Sequence, residues 1–127
     1  MVKKFLNMHL ALLAKLSKLL KEVIKMNDME LICFQIISNS GTAKSSYIEA
    51  IQKAKQKDFE AAEKLIAEGQ ECFTQAHHIH SELLQKDASG EHPEFSLILM
   101  HAEDQMANSE MAYVMAKEII ELYKKLK

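Results

Sequence analysis

Ile98, Ala102, Gln105, Ser109, Ala112, Ala116, Ile119, Tyr123 and Leu126 follow one another in steps of four and three. An α-helix turns once in about 3.6 residues, so this interval lines one side of a helix with small and apolar groups. A stripe sustained for so long suits left-handed packing against neighbouring helices. The same spacing recurs upstream, through Ile32, Ile36, Ala43, Tyr47, Ile51 and Ala54 within residues 29–56. It recurs again through Ala62, Leu65, Gly69, Cys72, Ala76, Ile79 and Leu83 within residues 59–87. With 3 Gly and 1 Pro against 48% hydrophobic residues, the chain lacks the punctuation that the many turns of a β fold require. The expectation is an all-α fold: an antiparallel three-helix bundle, up-down-up in the spectrin-like manner, occupying residues 27–127.

The breaks between the helices are legible too. Asp58, after the polar run at 55–57, is placed to cap the second helix. The segment ASGEHPE at 88–94 is turn-rich, and Pro93 is expected in the first turn of a third helix over 93–126, where its missing N–H has no partner to lose. Asn39, Ser40 and Gly41 form a weak point inside the first helix, predicting either a bend or the close approach of another backbone.

Residues 1–26 form a separate basic arm, with six lysines (3, 4, 15, 18, 21, 25) against Glu22 alone, so that a whole-chain charge of −2 leaves the remainder near −7. Leu6, His9, Leu13, Leu16, Leu20 and Val23 recur at helical spacing with lysines opposite, which predicts an amphipathic helix. Its longest apolar run, Leu10 to Ala14, is far short of the roughly 20 residues that span a bilayer and of the core of a secretory signal. Packing on protein is the expectation favoured over a membrane surface, and a natural start at Met26 is a third reading. Cys33 and Cys72 form no CxxC pair and suggest neither a disulfide framework nor a thiolate metal site, which fits a reducing cytoplasm.

The third helix carries a second stripe beside the first, through Leu97, His101, Asp104, Asn108, Met111, Met115 and Leu122. One bundle needs only one seam from each helix, so the second implies further neighbours. Self-association is the economical source, and a ring of threefold symmetry would bring His101, Asp104 and Asn108 near its axis. His101 and Asp104, at i and i+3, are the principal candidates for chemistry. The bland account is that they satisfy each other and fix register. His77 and His80, also i and i+3, with Ser81 beside them, are a second candidate group for a metal or a phosphate, although no matching third ligand accompanies them. His78 lies on another face. No phosphate loop, nucleophile elbow, HExxH or paired ExxH motif is present. A chain without Arg or Trp lacks the usual tools for reading nucleic acid. The eight methionines are core filling.

The stretch SLILMHAEDQMANS at 96–109 resembles the lactose/cellobiose-type IIA components of the bacterial sugar phosphotransferase system, as do TQAHHIHSELLQKDASGE at 74–91 and FQIISNSGTAKS at 34–45. The likeness covers about Met26 to Lys125. It implies a phosphotransferase component that accepts a phosphoryl group on His101 from the histidine phosphocarrier protein and passes it to a cysteine of a IIB component, during uptake of a lactose/cellobiose-type sugar. His77, His80 and Gln105 are then supporting groups, Asp104 is a metal ligand at the axis of a homotrimer, and Mg²⁺ or a similar divalent cation is the expected cofactor. The membrane is met only indirectly, through a IIC component. Glu103 and Gln105 stand where relatives carry Gln and a second His, and Lys44 where they carry Arg; an acid at 103 would oppose charge on a phosphorylated His101. The sequence leaves open two alternatives: a catalytically silent structural or regulatory oligomer of the same fold, and a metal-binding bundle using His77 and His80.

Overall fold

A computed structural model describes residues 10–18 and 28–126 of the chain. These form four helices and, among the described residues, no strand: α1 (residues 10–18), α2 (Asp28–Lys55), α3 (Phe59–Ala88) and α4 (Leu97–Lys125). The chain divides into two compact units, Met1–Leu31 and Ile32–Lys127. The remainder of the predicted arm helix, outside residues 10–18, lies beyond the described residues.

Within the second unit, α2 ends where polar residues interrupt the apolar stripe, and Lys57 turns the chain at φ 64°. The Asp58 side chain then caps α3 by accepting from the Ala61 N–H at 3.1 Å, as its position predicts. The connection to α4 differs from expectation. Pro93 lies in the loop rather than in the helix, and α4 starts at Leu97 with Ser96 as its cap, the Ser96 hydroxyl accepting from the Leu99 N–H at 3.2 Å. A proline tolerates the first turn of a helix but does not start one; the hydroxyl that takes up an orphan N–H decides the boundary.

Side-chain pairs fix the directions of the helices. Lys124 near the end of α4 reaches Glu63 near the start of α3 at 2.9 Å, whereas Glu103 near the start of α4 meets His80 towards the end of α3. Those two helices therefore run antiparallel. Tyr47 of α2 meets Tyr113 of α4 at 5.3 Å between ring centroids and donates to Gln70 Oε1 of α3 at 2.9 Å.

The core stripe of α4 is Leu99, Ala102, Met106, Ser109, Ala116 and Ile120. It keeps Ala102, Ser109 and Ala116 from the predicted stripe but replaces Ile98, Gln105 and Ile119, which are half-buried, with their C-terminal neighbours. The shift follows from sterics: at a helix contact the alanines and the serine sit deepest, and the larger residues that enter are those whose side chains lean back along the axis. Seven of the fully buried positions are alanines (43, 50, 54, 62, 76, 102 and 116), so the helices approach with little side chain between them. Tyr47 is the largest fully buried side chain, and the space for its ring is made by Gly69.

The weak point at Asn39–Gly41 proves to be a polar junction. Ser109 Oγ donates to the Ser40 carbonyl at 3.0 Å and Ser40 Oγ to Met106 Sδ at 3.2 Å, both fully buried. No backbone approaches Gly41, because a Cβ built there has nothing within 4 Å. The close approach expected at that glycine occurs instead at Gly69, whose added Cβ would lie 2.6 Å from Tyr47 Cε1 and 3.1 Å from the Ala43 carbonyl oxygen.

These two glycines predict opposite responses to alanine. Gly41→Ala should stabilise the fold by up to about 1 kcal/mol through helix propensity. Gly69→Ala should destabilise it by about 1–3 kcal/mol, because the Tyr47 ring has no room to retreat and overpacking outweighs propensity. Urea unfolding of both variants reads the signs directly.

Burial pushes the Tyr47 phenol from 10.0 up to about 12, with Tyr113 and Cys72 adding to the effect. The folded chain thus keeps its proton where the unfolded chain has lost it, so this stabilisation is whole below pH 10 and is lost as pH rises towards about 12. Thermal unfolding should show a falling midpoint across that window, with a shallower fall in Tyr47→Phe. The hydrogen bonds of Lys124 to Glu121 and Glu63, which hold the lysine above its ordinary value, contribute to the fall that remains.

Candidate functional site

With Ser96 fixing the start of α4, His101 falls in the second helical turn. At about 100° per residue, the stripe bearing Leu97, His101, Asp104 and Asn108 turns away from the line of Leu99, Ala102 and Met106 that enters the core. Burial follows that geometry. His101, Asp104 and Asn108 are all exposed, and so are Leu97, Met111, Met115 and Leu122 along the same stripe, Leu97 to 82% and Met111 to 61%. The second stripe therefore faces away from the subunit's own core rather than lying close beside the first.

His101 and Asp104 do not satisfy each other. Among the described residues, neither the His101 ring nor the Asp104 carboxylate forms a hydrogen bond or ion pair, and Asn108 donates to the Asp104 backbone carbonyl at 2.9 Å, leaving the carboxylate oxygens unused. The account in which the two satisfy each other within one chain is thus not what the geometry supports. An exposed imidazole offers a ring nitrogen to a reagent arriving from outside, and an exposed carboxylate one turn on can meet a cation.

The other sequence candidates are distributed differently. His80 is held between helices: its Nε2 lies 2.8 Å from both oxygens of Glu103, with side chains 15% and 46% exposed respectively. Glu103 is two residues from His101, about 200° away around α4, so its charge is directed to α3 rather than towards the His101 ring. His77 is exposed and packs its ring at 6.2 Å from Phe73. His78 pairs with Glu82 at 3.4 Å on the surface. Gln105, one turn beyond His101, accepts from Lys44 Nζ of α2 at 3.2 Å. Within one chain, the helices thus bring His80 to Glu103 and Lys44 to Gln105, and bring neither His77 nor His80 into contact with His101. Among the described residues, no group of three or more His, Cys, Asp or Glu side chains is arranged to hold a metal ion.

The partners of His80 and Lys44 were not legible in the sequence. Each pairing joins helices 23 or 61 residues apart, and spacing along one helix carries no information about the rotation of the next. The buried Ser40–Ser109 link escaped for the same reason.

Comparison with known proteins matches this arrangement to one family. The profile described as PTS system, Lactose/Cellobiose specific IIA subunit, matches residues 31–124. The lichenan-specific phosphotransferase enzyme IIA component of Bacillus subtilis is 44% identical over 99 residues, 78% of this chain and 90% of the relative. The lactose-specific EIIA component of Staphylococcus epidermidis is 34% identical over 99 residues, 78% of this chain and 95% of the relative. Among solved structures, the cellobiose-specific enzyme IIA of Bacillus anthracis superposes with a TM-score of 0.77 at 41% identity, covering 80% of this chain and 94% of that one. The IIA subunit in the solution structure of the Escherichia coli IIA(chitobiose)–HPr complex superposes with a TM-score of 0.66 at 33% identity, covering 76% and 93%. An all-helical fold with an exposed histidine on its last helix and a match across 31–124 places the chain in the lactose/cellobiose-specific IIA family of the sugar phosphotransferase system, as a phosphotransferase component.

Proposed function

We propose that this chain is a cytoplasmic phosphocarrier in which His101 accepts a phosphoryl group from the histidine phosphocarrier protein and passes it to a IIB cysteine, serving uptake of a sugar of the lactose/cellobiose type through a IIC membrane component. The observation that carries the reading is the exposed imidazole of His101 on the outward stripe of α4, without a partner among the described residues. A solved relative in complex with HPr supports the choice of donor.

The chemistry asks little beyond position. A neutral ring nitrogen of His101 attacks the phosphorus of the donor's phosphohistidine; a new P–N bond forms while the old one breaks, and its electron pair returns to the donor ring. In the second transfer the IIB thiolate attacks the same phosphorus and the His101 nitrogen leaves. Both partners are proteins, so the acceptor must stay reachable at the rim of the seam once the copies assemble, and not lie in a deep pocket. Gln105, one turn away, and His77, exposed on α3, are the groups best situated to steady the spread negative charge, His77 from a neighbouring copy. His80 is committed to Glu103 and acts through packing.

The subunit is read as an up-down-up three-helix bundle that assembles as a homotrimer through the second stripe of α4. Leu97, Met111, Met115 and Leu122 support this, since four large apolar groups on one helical line are costly to leave in water. Three copies of Asp104 would then converge. A single exposed carboxylate per chain is a poor metal site, but three oxygen donors on an axis suit Mg²⁺ or a similar hard cation, which would neutralise their mutual repulsion.

Incubation with phosphoenolpyruvate and the general phosphocarrier proteins should leave acid-labile phosphate on the wild-type chain and none on His101→Gln, with unfolding stability unchanged. Labelling that persists in His101→Gln overturns His101 as the acceptor, and a wild type that never takes up label leaves only the silent helical oligomer. Sedimentation should give about three times the mass of one chain, and Met115→Glu with Leu122→Glu should reduce it to the monomer. Asp104→Asn should keep the trimer while removing its stabilisation by added Mg²⁺, seen as loss of the Mg²⁺-dependent rise in the unfolding midpoint.

A further inference from the structure

The carrier fold leaves α1 unused. The family match begins at residue 31, and an alignment of 99 residues already spans 90% of the Bacillus subtilis relative, so the basic arm is an addition to a domain that is complete without it. In α1, LALLAKLSK, the leucines at 10, 12, 13 and 16 are each more than half exposed. At about 100° per residue, Leu13 and Leu16 point to one side while Lys15 and Lys18 point to the other, and Leu10 and Leu12 widen the apolar side to nearly half the circumference.

From this we infer that α1 is a surface anchor for anionic lipid, seated in the headgroup region with its leucines inward and its lysines towards the phosphates. Packing on protein is the expectation from sequence spacing; two features select lipid instead. A seam between helices takes a narrow stripe, whereas an interface between water and hydrocarbon wets a whole apolar half, and half is what this helix presents. The arm also carries six lysines against one glutamate, a charge suited to a continuous anionic plane. The helix lies on the bilayer and does not cross it, since none of the described helices is long and apolar enough to span one. Such an anchor would concentrate the carrier at the surface where sugar enters the cell, raising its effective concentration beside membrane partners without any new contact to them. Lipid binding of this kind is independent of His101, so it can fail or succeed apart from the carrier reading.

The test is co-sedimentation of the full-length chain with vesicles of phosphatidylcholine alone and of phosphatidylcholine mixed with phosphatidylglycerol. The chain should pellet with the mixed vesicles and remain in solution with the neutral ones. Lys15→Gln and Lys18→Gln should each weaken partitioning about fivefold. Leu13→Asp with Leu16→Asp should weaken it at least about tenfold. Raising salt from 0.1 M to 1 M, which shortens screening from about 10 Å to about 3 Å, should weaken wild-type binding and narrow the difference between wild type and the lysine variants. His101→Gln should bind as the wild type does. Failure to pellet with the mixed vesicles, or full binding by the double leucine variant, overturns the inference. So does a solution mass that depends on Leu13 and Leu16 in the absence of any vesicle binding, because the face then belongs to protein.

Discussion

The packing of Tyr47 against Gly69 sets the geometry of the bundle. Most of the fully buried positions are alanines, which bring helices close but fill little volume, so one large side chain must occupy the space where the helices meet. The ring needs a gap, and only a residue without a Cβ provides it; the Tyr47 hydroxyl then needs an acceptor, and Gln70 supplies one at 2.9 Å. Tyr113 of α4 meets the same ring, so a single aromatic group couples the positions of all three long helices. Farther along, the Ser109–Ser40 bond holds α2 and α4 in register at a point where neither helix has bulk to spare.

A bundle locked in this way makes a rigid mounting for α4. The helix contributes one line of residues to the core and leaves another, almost opposite, in solvent. Such a division allows the outward line to carry groups that a core would reject: an imidazole, a carboxylate and an amide within two turns, among large apolar neighbours. The two acids beside His101 in sequence take different directions. Glu103 faces α3 and is engaged by His80, while Asp104 faces outward with His101. Two acids one residue apart in sequence thus act in separate environments, because a helix turns by about 100° between them.

Charge is also partitioned along the chain. The arm is strongly basic and the remainder acidic, although the total is only −2. The family match confines the phosphotransferase fold to the acidic part.

The sequence by itself determined the helical class, the number of long helices and most of their ends, because apolar spacing and capping residues act within a few residues of where they stand. It also determined that α4 has two apolar lines and that His101 lies on the one the subunit does not need. Tertiary structure decided matters that depend on how one helix is rotated against another. It moved the core line of α4 onto Leu99, Met106 and Ile120, transferred the close approach from Gly41 to Gly69, gave His80 to Glu103 and Lys44 to Gln105, and left His101 and Asp104 without partners among the described residues. Periodicity fixes an arc of a helix surface but not its centre within a residue, and that residue decides which side chain meets which across the bundle.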